Sequence, residues 1–189
     1  MRVAVSGSHG TGKSTLIAAF LSKRPEYAHE PEAYEVLADD IALLTSEGPD
    51  AEGLAALLEH TAATLARYRP GAAVIFERTP VDYLAYAAAT RSIPRAVRDE
   101  FMRSYVPVVR DALRSLDLIA FLPVSSGGPV TSRPHEDERF RWRADEELRC
   151  ALVDDDYGLL GRDHGPLVVE LSADPDRQLA ELLRRTAGC

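Results

Sequence analysis

The stretch of sequence that decides the fold runs from Arg2 to Thr15 and reads RVAVSGSHGTGKST. Its first residues are apolar and predict a short strand over 3–5. From Lys13 to Lys23 the apolar side chains share one face, which predicts a helix. The residues between strand and helix fit the pattern G-x-x-x-x-G-K-[ST] without a mismatch. The sequence therefore predicts a strand, a tight glycine-rich loop and a helix in direct succession.

This order of elements is typical of a loop that binds phosphate. Glycines allow successive backbone N–H groups to turn toward one point, and the helix N-terminus adds partial positive charge. We expect Lys13 to reach the terminal phosphates and the Ser14 hydroxyl to ligate Mg²⁺. ATP and Mg²⁺ are thus the predicted cofactors, although the loop does not identify the base of the donor. The predicted cofactor-binding residues are Gly7, Ser8, His9, Gly10, Thr11, Gly12, Lys13, Ser14 and Thr15.

Length, charge and cysteine content limit the classes of protein to consider. The 189 residues suit a single domain over 1–189. A formal net charge of −8 argues against a nucleic-acid polymer or an anionic membrane as the main partner. Two cysteines form neither a metal cluster nor a disulfide framework, which favours the cytoplasm. Because the first strand begins at residue 2, we expect no signal peptide before it.

Short apolar segments alternate with longer helical ones along the whole chain, as in a parallel sheet with helices on both faces. We therefore predict an α/β protein with a three-layer α/β/α P-loop NTPase fold, a five-stranded parallel sheet and a helical, arginine-bearing lid over about 125–155. Strands are predicted at 3–5, 26–31, 72–76, 117–123 and 167–171. Helices are predicted at 13–23, 32–45, 51–68, 80–91, 95–103, 105–116, 136–154 and 174–186.

Charged residues follow several of these predicted strands. Glu30 ends the second strand, and Glu77 with Arg78 ends the third. Arginines follow the fourth strand in the predicted lid. Since ligands of such sheets bind at the carboxyl ends of the strands, we expect these groups to surround one crevice. Such a crevice would suit phosphoryl transfer. This reaction uses cations that stabilise the moving phosphoryl group and a carboxylate that takes the proton of an acceptor hydroxyl.

The chain resembles the deoxynucleoside kinase and thymidylate kinase group of P-loop small-molecule kinases. The resemblance rests on the phosphate loop, on Glu30-Pro31, on Glu77-Arg78-Thr79 and on the arginine-bearing stretch RPHEDERFRWR at 133–143. It implies that Glu30 is the general base, that Glu77 assists Mg²⁺ and that Arg78 contacts phosphate or substrate. Small uncharacterised bacterial AAA-type ATPases with the pattern E-R-[ST]-P-x-D-[FY]-L-A-Y are more similar still, and they imply no particular substrate.

Motif, strand ends and resemblance together define a set of candidate site residues. The predicted catalytic residues are Lys13, Glu30, Arg78, Arg139 and Arg143. The predicted substrate-binding residues are Glu30, Tyr34, Arg78, Asp82 and Tyr83. The predicted metal ligands are Ser14 and Glu77.

Each of these assignments has a structural alternative. Glu30 and Asp82 each precede or begin a helix, where an acid stabilises the N-terminus. The arginines of the lid alternate with acids, as on a solvated helix with ion pairs between successive turns. On such a helix Arg139 and Arg143 share one face, whereas Arg141 points elsewhere. Tyr83 recurs with other tyrosines at helical spacing, as core residues do.

Two functions of different classes are consistent with the sequence. The first is ATP- and Mg²⁺-dependent phosphoryl transfer to a hydroxyl or phosphate of a small molecule, with a nucleoside or nucleotide as the leading candidate. The alternative is a nucleotide-binding regulatory ATPase without a small-molecule acceptor. The sequence is compatible with a homodimer and predicts neither a nucleic-acid nor a membrane partner.

Overall fold

The computed structural model describes residues 1–37, 50–124, 138–161 and 165–187. Its strands are β1 (Arg2–Ser6), β2 (Ala28–Glu30), β3 (Val74–Glu77), β4 (Leu118–Phe121) and β5 (Leu167–Glu170). They form one parallel sheet in the order β2-β3-β1-β4-β5. The predicted five-stranded parallel sheet is therefore confirmed, with β1 at its centre.

Helices cover both faces of this sheet. They are α1 (Lys13–Lys23), α2 (Ala33–Leu37), α3 (Ala51–Ala66), α4 (Pro80–Ala89), α5 (Arg95–Leu113), α6 (Glu138–Leu152) and α7 (Pro175–Thr186). The three-layer α/β/α arrangement is thus confirmed. Among the helices of the described residues, none has the length and apolar content needed to cross a membrane.

The side chains of β1 show why the sheet needs helices on both sides. All five residues of this strand are buried. Val3 and Val5 pack with apolar residues of α1 and α7, whereas Ala4 packs in the cluster built from α3 to α6. Successive side chains of a strand point to opposite faces, so a continuous apolar run is buried only between two helical layers.

The prediction of two helices at 95–103 and 105–116 is wrong, because one helix, α5, spans this region with Pro107 inside it. A proline in a helix interior removes a hydrogen bond and costs about 3 kcal/mol. Phe101 before the proline, and Val109 and Leu113 after it, are all buried in the same core cluster. Packing on both sides of Pro107 therefore holds the two halves in one helix.

Other differences concern segment boundaries. Of the helix predicted at 32–45, the described part is α2, and residues 38–49 lie outside the described residues. The described part of the predicted lid is α6. Residues 125–137, which include Arg133, also lie outside the described residues.

The neighbouring positions of β1 and β3 bring the main motifs together. In the register of this pair, Val5 lies opposite Glu77. The loop after β1 and the Glu77-Arg78-Thr79 segment at the end of β3 therefore leave the same edge of the sheet side by side.

Candidate functional site

The glycine-rich loop ends in a helix start without a side-chain cap. Gly12 is the N-cap of α1 in the left-handed region, at φ 94°, and no side chain caps the helix there. Helix starts leave backbone N–H groups without intrahelical partners, and such groups are suited to bind an anion. At the other end of the loop, a Cβ on Gly7 would lie 2.5 Å from the Leu122 carbonyl oxygen, so this position has no room for a side chain.

Lys13 is buried at the start of α1, and its ammonium group donates to the Ser8 carbonyl oxygen at 2.9 Å. Burial lowers the pKa of Lys13 to about 8, and the nearby Arg78 cation acts in the same direction. Two cations lie close to each other beneath the loop, an arrangement that a polyanion would stabilise.

The two predicted metal ligands are in direct contact. The Ser14 hydroxyl donates to Glu77 Oε1 at 2.7 Å. A hydroxyl and a carboxylate are hard oxygen donors of the kind that Mg²⁺ takes together with water and phosphate oxygens. Within the described ranges no cluster of three His, Cys, Asp or Glu residues could enclose a metal by itself. The pair therefore fits a cation shared with a phosphate ligand.

Asp82 joins the loop to the β3–α4 connection. Its carboxylate is fully buried and accepts from the Ser6 hydroxyl at 2.7 Å and from the Gly7 N–H at 3.1 Å. It also accepts from the Thr79 N–H and hydroxyl, at 2.8 and 3.0 Å, and completes a capping box at the start of α4. Asp82 therefore stabilises the start of α4, as its structural alternative predicted. Its carboxylate lies beneath the loop and away from solvent.

Arg78 lies at the centre of the same buried network. Its backbone has φ 74°, a conformation that costs a non-glycine residue about 1–3 kcal/mol. Its Nη1 donates to the Gly7 carbonyl oxygen at 3.0 Å and contacts Asp82 Oδ1 at 3.3 Å. Burial opposes its charge, but Tyr86, Glu32 and Asp82 outweigh burial and hold the pKa of Arg78 well above its ordinary value. The guanidinium therefore stays charged beneath the loop.

The two acids at the carboxyl end of β2 have different partners. Glu30 Oε1 accepts a short hydrogen bond from the hydroxyl of Tyr68, a residue just after the end of α3. Glu32 Oε1 instead accepts from Arg78 Nε at 2.5 Å, with the Glu32 side chain 20% exposed. Sequence reasoning missed Glu32 as a site residue, although an acid two positions after Glu30 at a strand end was a usable signal.

The predicted substrate-binding tyrosines take different positions. Tyr34 is partly buried and packs against the core cluster. Tyr83 is 1% exposed, and its hydroxyl has no hydrogen-bond partner among the described residues. The neighbouring Thr61 hydroxyl donates to the Leu57 carbonyl oxygen. Burial raises the pKa of Tyr83, so this hydroxyl stays protonated.

Of the arginines on α6, the structure brings Arg141 to the phosphate loop. Arg141 Nε donates to the His9 carbonyl oxygen at 2.8 Å and Nη2 to that of Gly10 at 3.3 Å. Arg143 Nε donates to the Ala89 carbonyl oxygen at the end of α4, at 3.1 Å, and Arg139 is exposed. The helical spacing separated Arg141 from the other two correctly, but it could not tell which face of α6 meets the loop.

Comparison with known protein families assigns the chain to one family. Residues 2–159 match the family model AAA_28, described as an AAA domain. The chain belongs to this family. No curated protein matches it at a significant level.

Solved structures of this fold include several kinases. Deoxyadenosine kinase from M. mycoides with the products dCMP and dCDP superposes with a TM-score of 0.70 at 18% identity over 100% of both chains. NadR protein in complex with NR gives 0.71 at 20% identity, over 100% of this chain and 52% of NadR. Thymidylate kinase from Ehrlichia chaffeensis gives 0.60 at 15% identity, over 98% and 97%. At these identities the similarity shows the fold alone.

The lowered pKa of Lys13 predicts how phosphate binding depends on pH. Lys13 and Lys23 are the chain's two lysines, so ¹³C-labelled lysine should give two signals, and a Lys23→Arg variant identifies them. We expect the Lys13 signal to titrate at about pH 8 and its midpoint to rise when ATP binds. Because the bound form takes up a proton, ATP affinity should weaken by up to about tenfold per pH unit above pH 8.

A Lys13 signal with the same titration midpoint in the free protein and in the ATP complex would contradict a contact between this ammonium and phosphate. ATP affinity that stays constant between pH 8 and 9.5 would do the same.

The Asp82 network predicts a large loss of stability on a small change. In Asp82→Asn, one acceptor oxygen becomes an NH₂ donor facing other donors, and Arg78 loses a buried counter-charge. We expect the free energy of unfolding in urea to fall by about 3–5 kcal/mol. Asp99→Asn is the matched control, since Asp99 forms an exposed ion pair with Arg95. Equal changes in the two variants would show that the buried network does not hold the loop.

Proposed function

We propose that the chain is an ATP- and Mg²⁺-dependent kinase that transfers a phosphoryl group to a hydroxyl or phosphate of a small molecule, with a nucleoside or nucleotide as the leading acceptor class. The observation that carries the proposal is the contact of Arg78 with both the phosphate loop, at the Gly7 carbonyl, and an acid at the neighbouring strand end, Glu32. In this proposal one cation would touch both the donor side and the acceptor side of the same crevice.

The donor side consists of the loop N–H groups, Lys13, Ser14 and Glu77. Lys13 would exchange its bond to the Ser8 carbonyl for a phosphate oxygen, and the uncapped start of α1 would bind the phosphates next to it. Ser14 and Glu77 would hold Mg²⁺, which neutralises charge on the phosphate oxygens when bound.

The acceptor side offers two carboxylates for the role of proton acceptor. The sequence predicts Glu30, and this remains a prediction. The geometry supports Glu32 more strongly, because its partner is Arg78, whereas Glu30 is bonded to Tyr68. A carboxylate oxygen beside Arg78 would be able to accept the proton of a hydroxyl that attacks the phosphoryl group.

The α6 segment would complete the site as a lid. Arg141 already contacts the loop carbonyls of His9 and Gly10. A lid that closes over the acceptor would exclude water and so suppress hydrolysis. Arg139 and Arg143 remain predicted contacts of the moving phosphoryl group.

The chemical class of the acceptor is suggested by the structural relatives. They include a deoxyadenosine kinase with bound dCMP and dCDP, a NadR protein in complex with NR, and a thymidylate kinase. The acceptor panel should therefore contain deoxynucleosides, nucleoside monophosphates and NR.

The direct test measures ADP release from ATP and Mg²⁺ with each acceptor and without any. We expect one acceptor to raise the rate by about 100-fold or more, and mass spectrometry should show that acceptor with one added phosphoryl group. Release of ADP that is equal with and without every acceptor would overturn the kinase proposal. It would favour the alternative, a regulatory ATPase, which the match to an AAA domain also accommodates.

Matched variants separate the two acids. Glu32→Gln should lower kcat by about 100-fold or more and leave the Kd for ATP nearly unchanged, since the amide cannot take the proton. Glu30→Gln should have the smaller effect on kcat, because its carboxylate is bonded to Tyr68. A larger loss of kcat in Glu30→Gln than in Glu32→Gln would instead identify Glu30 as the base. Wild-type turnover in both variants would show that neither acid is the base.

A further inference from the structure

One face of α6 is attached to the carboxyl edge of the sheet at successive turns of the helix. Arg141, Asp145 and Arg149 follow one another at intervals of four residues, a spacing that places side chains on the same face of a helix. The first contacts the loop after β1, the second the segment after β4 and the third the end of β5. The helix thereby crosses the sheet edge at which the phosphate loop lies.

The Arg141 end of this face is joined to the phosphate loop in both directions. Its guanidinium donates to the carbonyl oxygens of His9 and Gly10 at 2.8 and 3.3 Å, and its own carbonyl oxygen accepts from the Ser8 hydroxyl at 3.1 Å. These carbonyls take two of the five N–H donors of a guanidinium. The other donors of the same buried group are suited to a phosphate oxygen bound at the loop.

Asp145 forms a buried attachment one turn further along the same face. Its Oδ1 accepts from the Val124 N–H at 2.8 Å, and the residue is 7% exposed. Burial raises the pKa of Asp145, and the Val124 N–H and the Arg149 and Arg141 cations oppose this rise. Because Val124 follows β4, the strand next to β1, the bond fixes α6 beside the phosphate loop.

The contact at the third turn is exposed. Arg149 forms a bidentate pair with Glu170 at 2.7 and 2.8 Å, with side chains that are 42% and 37% exposed. Exposed ion pairs contribute little to stability, whereas a buried backbone N–H that loses its acceptor is costly. The bond between Asp145 and Val124 therefore dominates the attachment of this face.

We propose that Asp145 is a positioning residue of the phosphate-binding site: by fixing α6 to the segment after β4, it holds the Arg141 guanidinium at the loop, where Arg141 binds a phosphate oxygen of ATP. The inference rests on the proposed function only through its ATP site. It adds Arg141 to the predicted phosphate contacts and identifies the residue that holds it in place.

The first test follows hydrogen exchange of the Val124 amide by NMR in the free protein. We expect slow exchange in the wild type and in Asp145→Asn, whose side-chain oxygen still accepts the bond, and faster exchange in Asp145→Ala. Glu146→Ala is the matched control, because it removes an acid from the next, exposed position of α6 and should leave the Val124 amide unchanged. Fast exchange of this amide in the wild-type protein would overturn the proposal.

The second test is a double-mutant cycle on the Kd for ATP with Mg²⁺, measured calorimetrically without acceptor. Arg141→Gln should weaken ATP binding by about tenfold and Asp145→Ala by about threefold to tenfold. Asp145→Asn and Glu146→Ala should each change the Kd by less than about twofold. In the Arg141→Gln background Asp145→Ala should have little further effect, because Asp145 acts through Arg141.

Three results of this cycle would overturn the inference. Equal effects of Asp145→Ala in both backgrounds would assign Asp145 a merely structural role. An Asp145→Asn variant that binds ATP as weakly as Asp145→Ala would show that the bond to Val124 is not what matters. Unchanged ATP affinity in Arg141→Gln would exclude a contact between this guanidinium and phosphate.

The outcomes for this inference and for the proposed function are distinguishable. A protein that binds ATP with the predicted cycle but phosphorylates no acceptor would retain the role of Asp145 and lose the kinase function. A protein that phosphorylates an acceptor while Asp145→Ala and Arg141→Gln act independently would retain the kinase function and lose the inference. A wild-type protein with no affinity for ATP would overturn both.

Discussion

The phosphate loop depends on one buried ion pair, that of Arg78 and Asp82. The two side chains bind Gly7 from opposite sides, because Asp82 accepts from its N–H and Arg78 donates to its carbonyl oxygen. Taking two charges out of water costs several kcal/mol per ion and is offset only when further hydrogen bonds satisfy both groups. Ser6 and Thr79 supply such bonds to Asp82. These contacts hold the loop in place, as preorganised charge stabilisation requires.

The same buried network joins the phosphate loop to the acid that follows β2. Arg78 adopts a strained backbone conformation at the end of β3, and this turns its guanidinium under the loop and toward Glu32. Such strain persists only where the surroundings over-determine it, and here the surroundings are Gly7, Asp82 and Tyr86. Lys13 shares the buried region, and burial together with Arg78 lowers its pKa. Cations held close together are ready to bind the charge of a nucleotide's phosphates.

Local patterns predicted some parts of this site and not others. The contact between Ser14 and Glu77 joins two residues that the motif and the strand ends had selected. The partner of Arg78 was not predicted, since Glu30 and Glu32 both lie at the end of the same short strand. Only the packing of α3 gives Glu30 its contact with Tyr68. Periodicity likewise grouped the arginines of α6 by face, but the orientation of that helix against the loop selected Arg141. Pro107 predicted a helix end that tertiary packing overrides.

The sequence by itself determined the order of strands and helices, the phosphate loop and the sheet edge at which charged residues gather. These features follow from short-range rules: apolar periodicity, glycine dihedral freedom and the parallel direction of the strands. Only the tertiary structure decided which acid meets Arg78, which arginine meets the loop and that Asp145 meets Val124. Those contacts join residues far apart along the chain, and their geometry depends on how helices pack on the sheet, which no local pattern encodes.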